Sequence, residues 1–139
     1  MPELTVDRLI QNFEILGNWE ERYRYVIDLG RKLPDLDEKY KVEDNRVKGC
    51  VSNVWLITRV NDDKTPTLEF KADSDAHIVR GLVTILLAIY SGRTAKEILA
   101  VDIKDIFQQL DLESHLSPSR SNGFFSMVER IKALAQAAA

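Results

Sequence analysis

The chain changes its hydrophobic period partway along, and that change confines the folds open to it. From Thr67 to Asp73, the apolar residues Leu68, Phe70 and Ala72 alternate with Thr67, Glu69, Lys71 and Asp73. Side chains of a strand point alternately to its two faces, so this spacing sets one face on a core and the other in water. Val51 to Val60 is β-branched and aromatic, with Trp55 inside it, and Asn61-Asp62-Asp63-Lys64 makes a polar turn between the two runs. The pattern predicts an antiparallel hairpin, joined by a short strand near Arg46 and Val47.

On either side of the hairpin the period is helical. Val6, Leu9, Ile10, Phe13 and Leu16 recur on one helix face after Thr5, a candidate cap, and Trp19, Tyr23, Val26, Ile27 and Leu33 follow on a second. Asn18 with Glu21 has the form of a capping box, and Pro34 stops the second helix. Ile78 to Tyr90 is apolar on nearly every face, which predicts a helix buried centrally against the sheet, with Ser74 or Asp75 capping its start and Gly92 its end. Thr94 with Glu97, and Asp102 with Asp105, open two short helices. Pro118 suits the first turn of a last helix holding Phe124, Phe125, Val128, Ile131 and Leu134, with the alanine-rich tail from Ala135 to Ala139 continuing it. A hairpin between two helical halves is α+β: a small antiparallel sheet packed against helices, in one domain over 1–139.

At 139 residues the chain is long enough to bury roughly two-thirds of its unfolded surface without staples. A net charge of −3 gives no long-range pull toward phosphate backbones, so neither nucleic acid nor an anionic membrane is expected as a partner. The most apolar run, Gly81 to Tyr90, is about half of the roughly 20 residues a spanning helix needs, and the start Met1-Pro2-Glu3-Leu4 lacks a basic region followed by an apolar one. A single cysteine cannot form an internal disulfide, which suits a reducing cytoplasm.

That cysteine, Cys50, is the first candidate for chemistry. A free cysteine is often just a small buried hydrophobe. Here it follows Gly49, which permits close backbone approach or a positive dihedral, and precedes a strand, where a loop tip can expose a thiol. Arg46 and Lys48 precede it, and two nearby cations would lower the thiol pKa and favour the nucleophilic thiolate. The same charges also read as solvated surface. His77 and His115 are the only histidines, and no spacing ties either to Cys50 as a general base. There is no Cys-x-x-Cys or His-x-x-x-His pair for a metal, no phosphate-binding glycine loop and no Gly-x-Ser-x-Gly elbow.

The segment NRVKGCVSNVWL, Asn45 to Leu56, resembles the signature of the SufE family of sulfur-acceptor proteins, which includes CsdE. WEERYRYVIDLGRKLP (Trp19 to Pro34), DSDAHIVRG (Asp73 to Gly81) and LSPSRSNG (Leu116 to Gly123) resemble other blocks of that family in the expected order, so the likeness spans nearly the whole chain. Val51 and Asn53 depart from it, standing where glutamines are frequent, which bears on the choice of partner.

The resemblance implies an α+β fold shared with IscU-type scaffolds. It also implies that Cys50 accepts persulfide sulfur from a cysteine desulfurase of the SufS/CsdA type, stimulates that enzyme, and relays sulfur to iron–sulfur cluster assembly. The pyridoxal phosphate belongs to the desulfurase, so no cofactor is expected on this chain. Arg46, Lys48, Gly49, Asp73 and Arg120 are carried over as candidates for positioning the cysteine loop or docking the partner. For Asp73 and Arg120, helix capping and a surface ion pair are the plainer readings. A cytoplasmic accessory protein rather than a stand-alone enzyme is implied, and a homodimer stays open. Two rival readings remain from the residues: an adaptor that regulates a partner by contact alone, with Cys50 as packing, and a thiol hydrolase using Cys50 with a histidine.

Overall fold

The computed structural model describes residues 5–50, 52–62 and 64–138. The expected strand start at Val51, Asp63 of the turn, the acidic start Met1 to Leu4 and the final alanine lie outside the described residues. The element order is α1 (Val6–Ile15), α2 (Trp19–Lys32), β1 (Val54–Asn61), β2 (Thr67–Ser74), α3 (His77–Tyr90), α4 (Ala95–Ala100), α5 (Ile103–Gln109) and α6 (Pro118–Ala138). Two single-turn 3-10 helices, Glu38–Tyr40 and Glu43–Asn45, occupy the stretch between α2 and β1, where the sequence shows no period.

Local chemistry accounts for most helix starts. Thr5 accepts a hydrogen bond from the Arg8 N–H (3.2 Å) and Asn18 from the Glu21 N–H (2.9 Å), which satisfies donors that the first turn leaves unpaired. Thr94 and Glu97 form the full reciprocal box, and Asp102 accepts from the Asp105 N–H. Pro118 is the first residue of α6. One expectation fails: neither Ser74 nor Asp75 caps α3, whose N-cap is Ala76. Both side chains are drawn to the cysteine loop instead.

The sheet is the antiparallel pair β1–β2, with Trp55 opposite Asp73 and Thr58 opposite Phe70. The third strand expected near Arg46 shrinks to an isolated bridge between Arg46 and Trp55. Leu68, Phe70 and Ala72 are buried as their alternation requires, but Asp73, placed by the same alternation on the water face, is 1% exposed. The segment that follows α2 folds over that end of the hairpin and covers it. The Leu36 N–H donates to Asp73 (3.0 Å), and Lys41 Nζ lies 3.5 Å from the same carboxylate.

The core lies between the hairpin and α3, closed by α1, α2 and α6. Ile78, Leu82, Val83, Ile85, Leu86, Ile89 and Tyr90 are all buried, so α3 is central as its apolar circumference predicts. The crossing of α2 on α3 depends on missing side chains. A Cβ on Gly81 would overlap the Val26 carbonyl oxygen, and one on Gly30 would sit 2.7 Å from the Gly81 nitrogen. Glycine lets the two backbones touch, and this brings Arg80 within reach of the α2 terminus, where it donates to the Gly30 (3.1 Å) and Leu33 (2.6 Å) carbonyls.

Candidate functional site

Cys50 sits on a short loop with a fixed stem. At one side Val47, 1% exposed, donates its N–H to the Val54 carbonyl at 2.8 Å. At the other, Asn53 donates its backbone N–H (3.1 Å) and side-chain amide (2.9 Å) to the Asp75 carboxylate, while its carbonyl accepts from Ser74 Oγ at 2.7 Å. Ser74 and Asp75 thus clip the loop to the junction of β2 and α3. Between these anchors Lys48 and Gly49 form a turn. Gly49 has φ +91°, a left-handed value that favours glycine, and a Cβ there would meet Ser126 Oγ of α6 at 2.5 Å.

The turn presses the cysteine against α6. The Cys50 thiol donates to the Gly123 carbonyl of α6 at 3.5 Å. Cys50 is half-buried rather than exposed at a loop tip. It opens into a cavity of about 390 Å³ with an apolar floor of Val79, Leu82, Phe124 and Met127. Ser52, Ser117, Ser119 and Arg120 complete the lining.

The electrostatics run against the sequence expectation. Burial pushes the Cys50 thiol up, and the Arg46 charge offsets this only in part. Arg46 is engaged elsewhere, its guanidinium donating to both Glu43 carboxylate oxygens at 3.0 and 3.1 Å. Lys48 is exposed and lines a shallow hollow with Phe125 and Glu129. In the resting conformation the net direction is therefore toward thiol, not thiolate.

Asp73 and Arg120 occupy different places. Asp73 is buried away from the Cys50 cavity, accepts from the Leu36 and Ser74 N–H groups and pairs with Arg80 and Lys41. Burial alone would raise its carboxyl, but the two backbone donors and two cations outweigh it and hold the carboxyl below its ordinary range. Arg120 lines the cavity and reaches Tyr23 Oη at 3.4 Å; none of the ion pairs among the described residues includes it. His77 and His115 are exposed and neither lines the cavity; His115 stacks on Trp19 and lies 3.4 Å from Asp111. Among the described residues no group of three or more His, Cys, Asp or Glu side chains could hold a metal ion.

The sequence reading missed the Asn53–Ser74–Asp75 clip and the serine rim. Asn53 and Asp75 are polar at element ends, a signal that serves capping equally well, so only their meeting in space identifies them.

An α+β molecule with one cysteine held on an anchored loop above a partly apolar cavity defines a class of small thiol proteins, and comparison with known proteins narrows it. The family model SufE, described as an Fe-S metabolism associated domain, matches residues 7–135. An uncharacterised SufE-like protein of Rhizobium meliloti is 50% identical over 133 residues, covering 95% of each chain. One of Rhizobium etli is 51% identical over 129 residues, covering 92% of this chain and 87% of its own. The solution structure of a hypothetical protein from Thermus thermophilus superposes with a TM-score of 0.74 over 99% of this chain and 98% of that one; at 18% identity it shows the shared fold. The chain belongs to the SufE family, whose domain is associated with Fe-S metabolism. No helix among the described residues is long and apolar enough to cross a membrane.

Proposed function

We propose that this protein accepts sulfur on Cys50 from a cysteine desulfurase in the cytoplasm, relieves that enzyme of its product, and passes the sulfur on toward iron–sulfur cluster assembly. The observation that carries the reading is the placement of the chain's single thiol: half-buried, at a cavity with room for further atoms, on a loop anchored at both stems. Membership of a family tied to Fe-S metabolism supports the same direction.

The transfer is a thiol exchange. The Cys50 thiolate attacks the outer sulfur of a persulfide on the donor enzyme, a bond forms between those two sulfurs, and the donor's own sulfur–sulfur bond breaks. The donor cysteine leaves as a thiolate and Cys50 carries the persulfide; no external oxidant or reductant is consumed. Because burial disfavours the thiolate at rest, deprotonation accompanies docking, when the loop leaves Gly123 and enters the donor's pocket. On return, the cavity shields a species that water-borne oxidants and thiols would otherwise consume.

The test is to mix the chain with a cysteine desulfurase and L-cysteine and follow intact mass and peptide maps. One added sulfur on Cys50, released by reductant, is the expected result, together with faster turnover of the desulfurase. Cys50→Ser should still bind the enzyme but fail to stimulate it. Stimulation that survives this substitution would instead identify an adaptor acting by contact. A thiol hydrolase would act with no second protein, and neither histidine lies at the cavity to assist one.

A further inference from the structure

The two edges of the hairpin are treated differently. On the β2 side, Leu68 donates its N–H to the Arg93 carbonyl (2.8 Å), its carbonyl accepts from the Gly92 N–H (2.7 Å), and the Phe70 N–H is taken by Ser91 Oγ (3.0 Å). Leu68 and Phe70 therefore direct their backbone groups away from β1. In an antiparallel pair the residues directly opposite must do the same, and these are Val60 and Thr58. On that side the Val54 carbonyl is met by Val47, but among the described residues no hydrogen bond reaches the backbone groups of Thr58 or Val60. Val60 is 43% exposed.

A groove of about 630 Å³ runs along this free edge, between the hairpin and α6, and shares no lining residue with the Cys50 cavity. Tyr40 and Leu134 give it apolar contact, and Arg59, Lys71 and Arg130 bring three cations against the single carboxylate of Glu69. None of the three cations takes part in an ion pair among the described residues. Arg130 donates one nitrogen to the Asp44 carbonyl (2.7 Å), while its Nε is buried with no partner. On a chain of net charge −3 this is a local reversal of sign beside an unpaired strand.

We propose that the free edge of β1 takes an extended, carboxylate-bearing segment of a partner protein as a third strand, with Arg59, Lys71 and Arg130 receiving its acidic side chains. Backbone pairing to an exposed edge supplies affinity, and side chains on alternate positions supply selectivity. Charge decides between occupants. A second copy of this chain would set these cations against their own kind, whereas an acidic strand meets all three. The site is independent of the sulfur chemistry, since it lies on different residues and needs no thiol.

The test uses the full chain and a fluorescein-labelled, end-blocked peptide of alternating valine and glutamate, with a valine–lysine peptide as control. Anisotropy should show binding of the acidic peptide only, and NMR hydrogen exchange at saturation should be slowed at the Thr58 and Val60 amides. The double change Arg59→Glu with Lys71→Glu should weaken binding by about tenfold or more. Val60→Pro, which removes an outward N–H that the hairpin does not use, should abolish binding without altering the rate of Cys50 alkylation. A peptide N-methylated at its valines makes the same test on the unmodified chain and should not bind. Absence of binding, binding without slowed exchange at Thr58 and Val60, or binding that survives the charge reversal would overturn the proposal. So would sedimentation showing that the chain self-associates through this edge, with the same amides protected in the absence of peptide.

Discussion

The Cys50 thiol is held back by its surroundings. A free thiol has a pKa of about 8.5, and burial against α6 moves this one upward while Arg46, tied to Glu43, only partly opposes the shift. At any given pH near neutrality the thiolate fraction is therefore below that of a free cysteine. Iodoacetamide modification followed by mass spectrometry should give a pH profile displaced to higher pH than that of glutathione. Arg46→Ala should displace it further, because Arg46 is the cation that opposes the upward shift. The importance of position 50 was legible in the residues themselves, through a single cysteine after a glycine within NRVKGCVSNVWL. The sign of its pKa shift was not, because it is set by burial against Gly123, 73 residues further along the chain, which outweighs the Arg46 charge.

Among the elements, the loop that carries Cys50 is held by two clamped stems, Val47 on Val54 and Asn53 on Ser74 and Asp75. Its return stem depends on Ser74 and Asp75, which hold Asn53 through four hydrogen bonds in all, one of them from the Asp75 N–H at 3.3 Å. Loss of that clip should loosen the tip without touching the sulfur. Asp75→Ala is expected to raise the alkylation rate of Cys50 at fixed pH several-fold, with stability in denaturant lowered by about 1–2 kcal/mol, the usual worth of the two hydrogen bonds lost. An unchanged rate would mean that Cys50 reactivity is set at Gly123 alone. The helices and the hairpin were predictable from periodicity and caps, because those signals are local. The clip was not, since Asn53 and Asp75 stand 22 residues apart and each has an ordinary local use.

At the scale of the whole molecule, Asp73 joins three parts of the chain: the end of β2, Arg80 on α3, and the segment from Leu33 to Lys41. Its carboxyl is depressed in the fold, so it stabilises the protein fully above its ordinary pKa near 3.9, and that contribution is lost as pH falls through the lower folded value. Asp73→Asn leaves the largely buried Arg80 with only the exposed Asp35 as its ionic partner and should cost about 3 kcal/mol at pH 7 in urea denaturation. The gap between the two proteins should close as pH is lowered below about 4, since acid then neutralises the native carboxyl as well.

Periodicity, caps and turn residues act over a few neighbours, and so the amino-acid order alone determined the helices, the hairpin, the central position of α3 and the family blocks around Cys50. Which way each charge faces depends on segments far apart in the chain folding onto one another. Only tertiary structure could decide that Asp73 is covered by residues 35–41, that Cys50 is pressed against Gly123 of α6 so that burial outweighs the Arg46 charge, and that Ser74 and Asp75 serve the cysteine loop instead of a helix end.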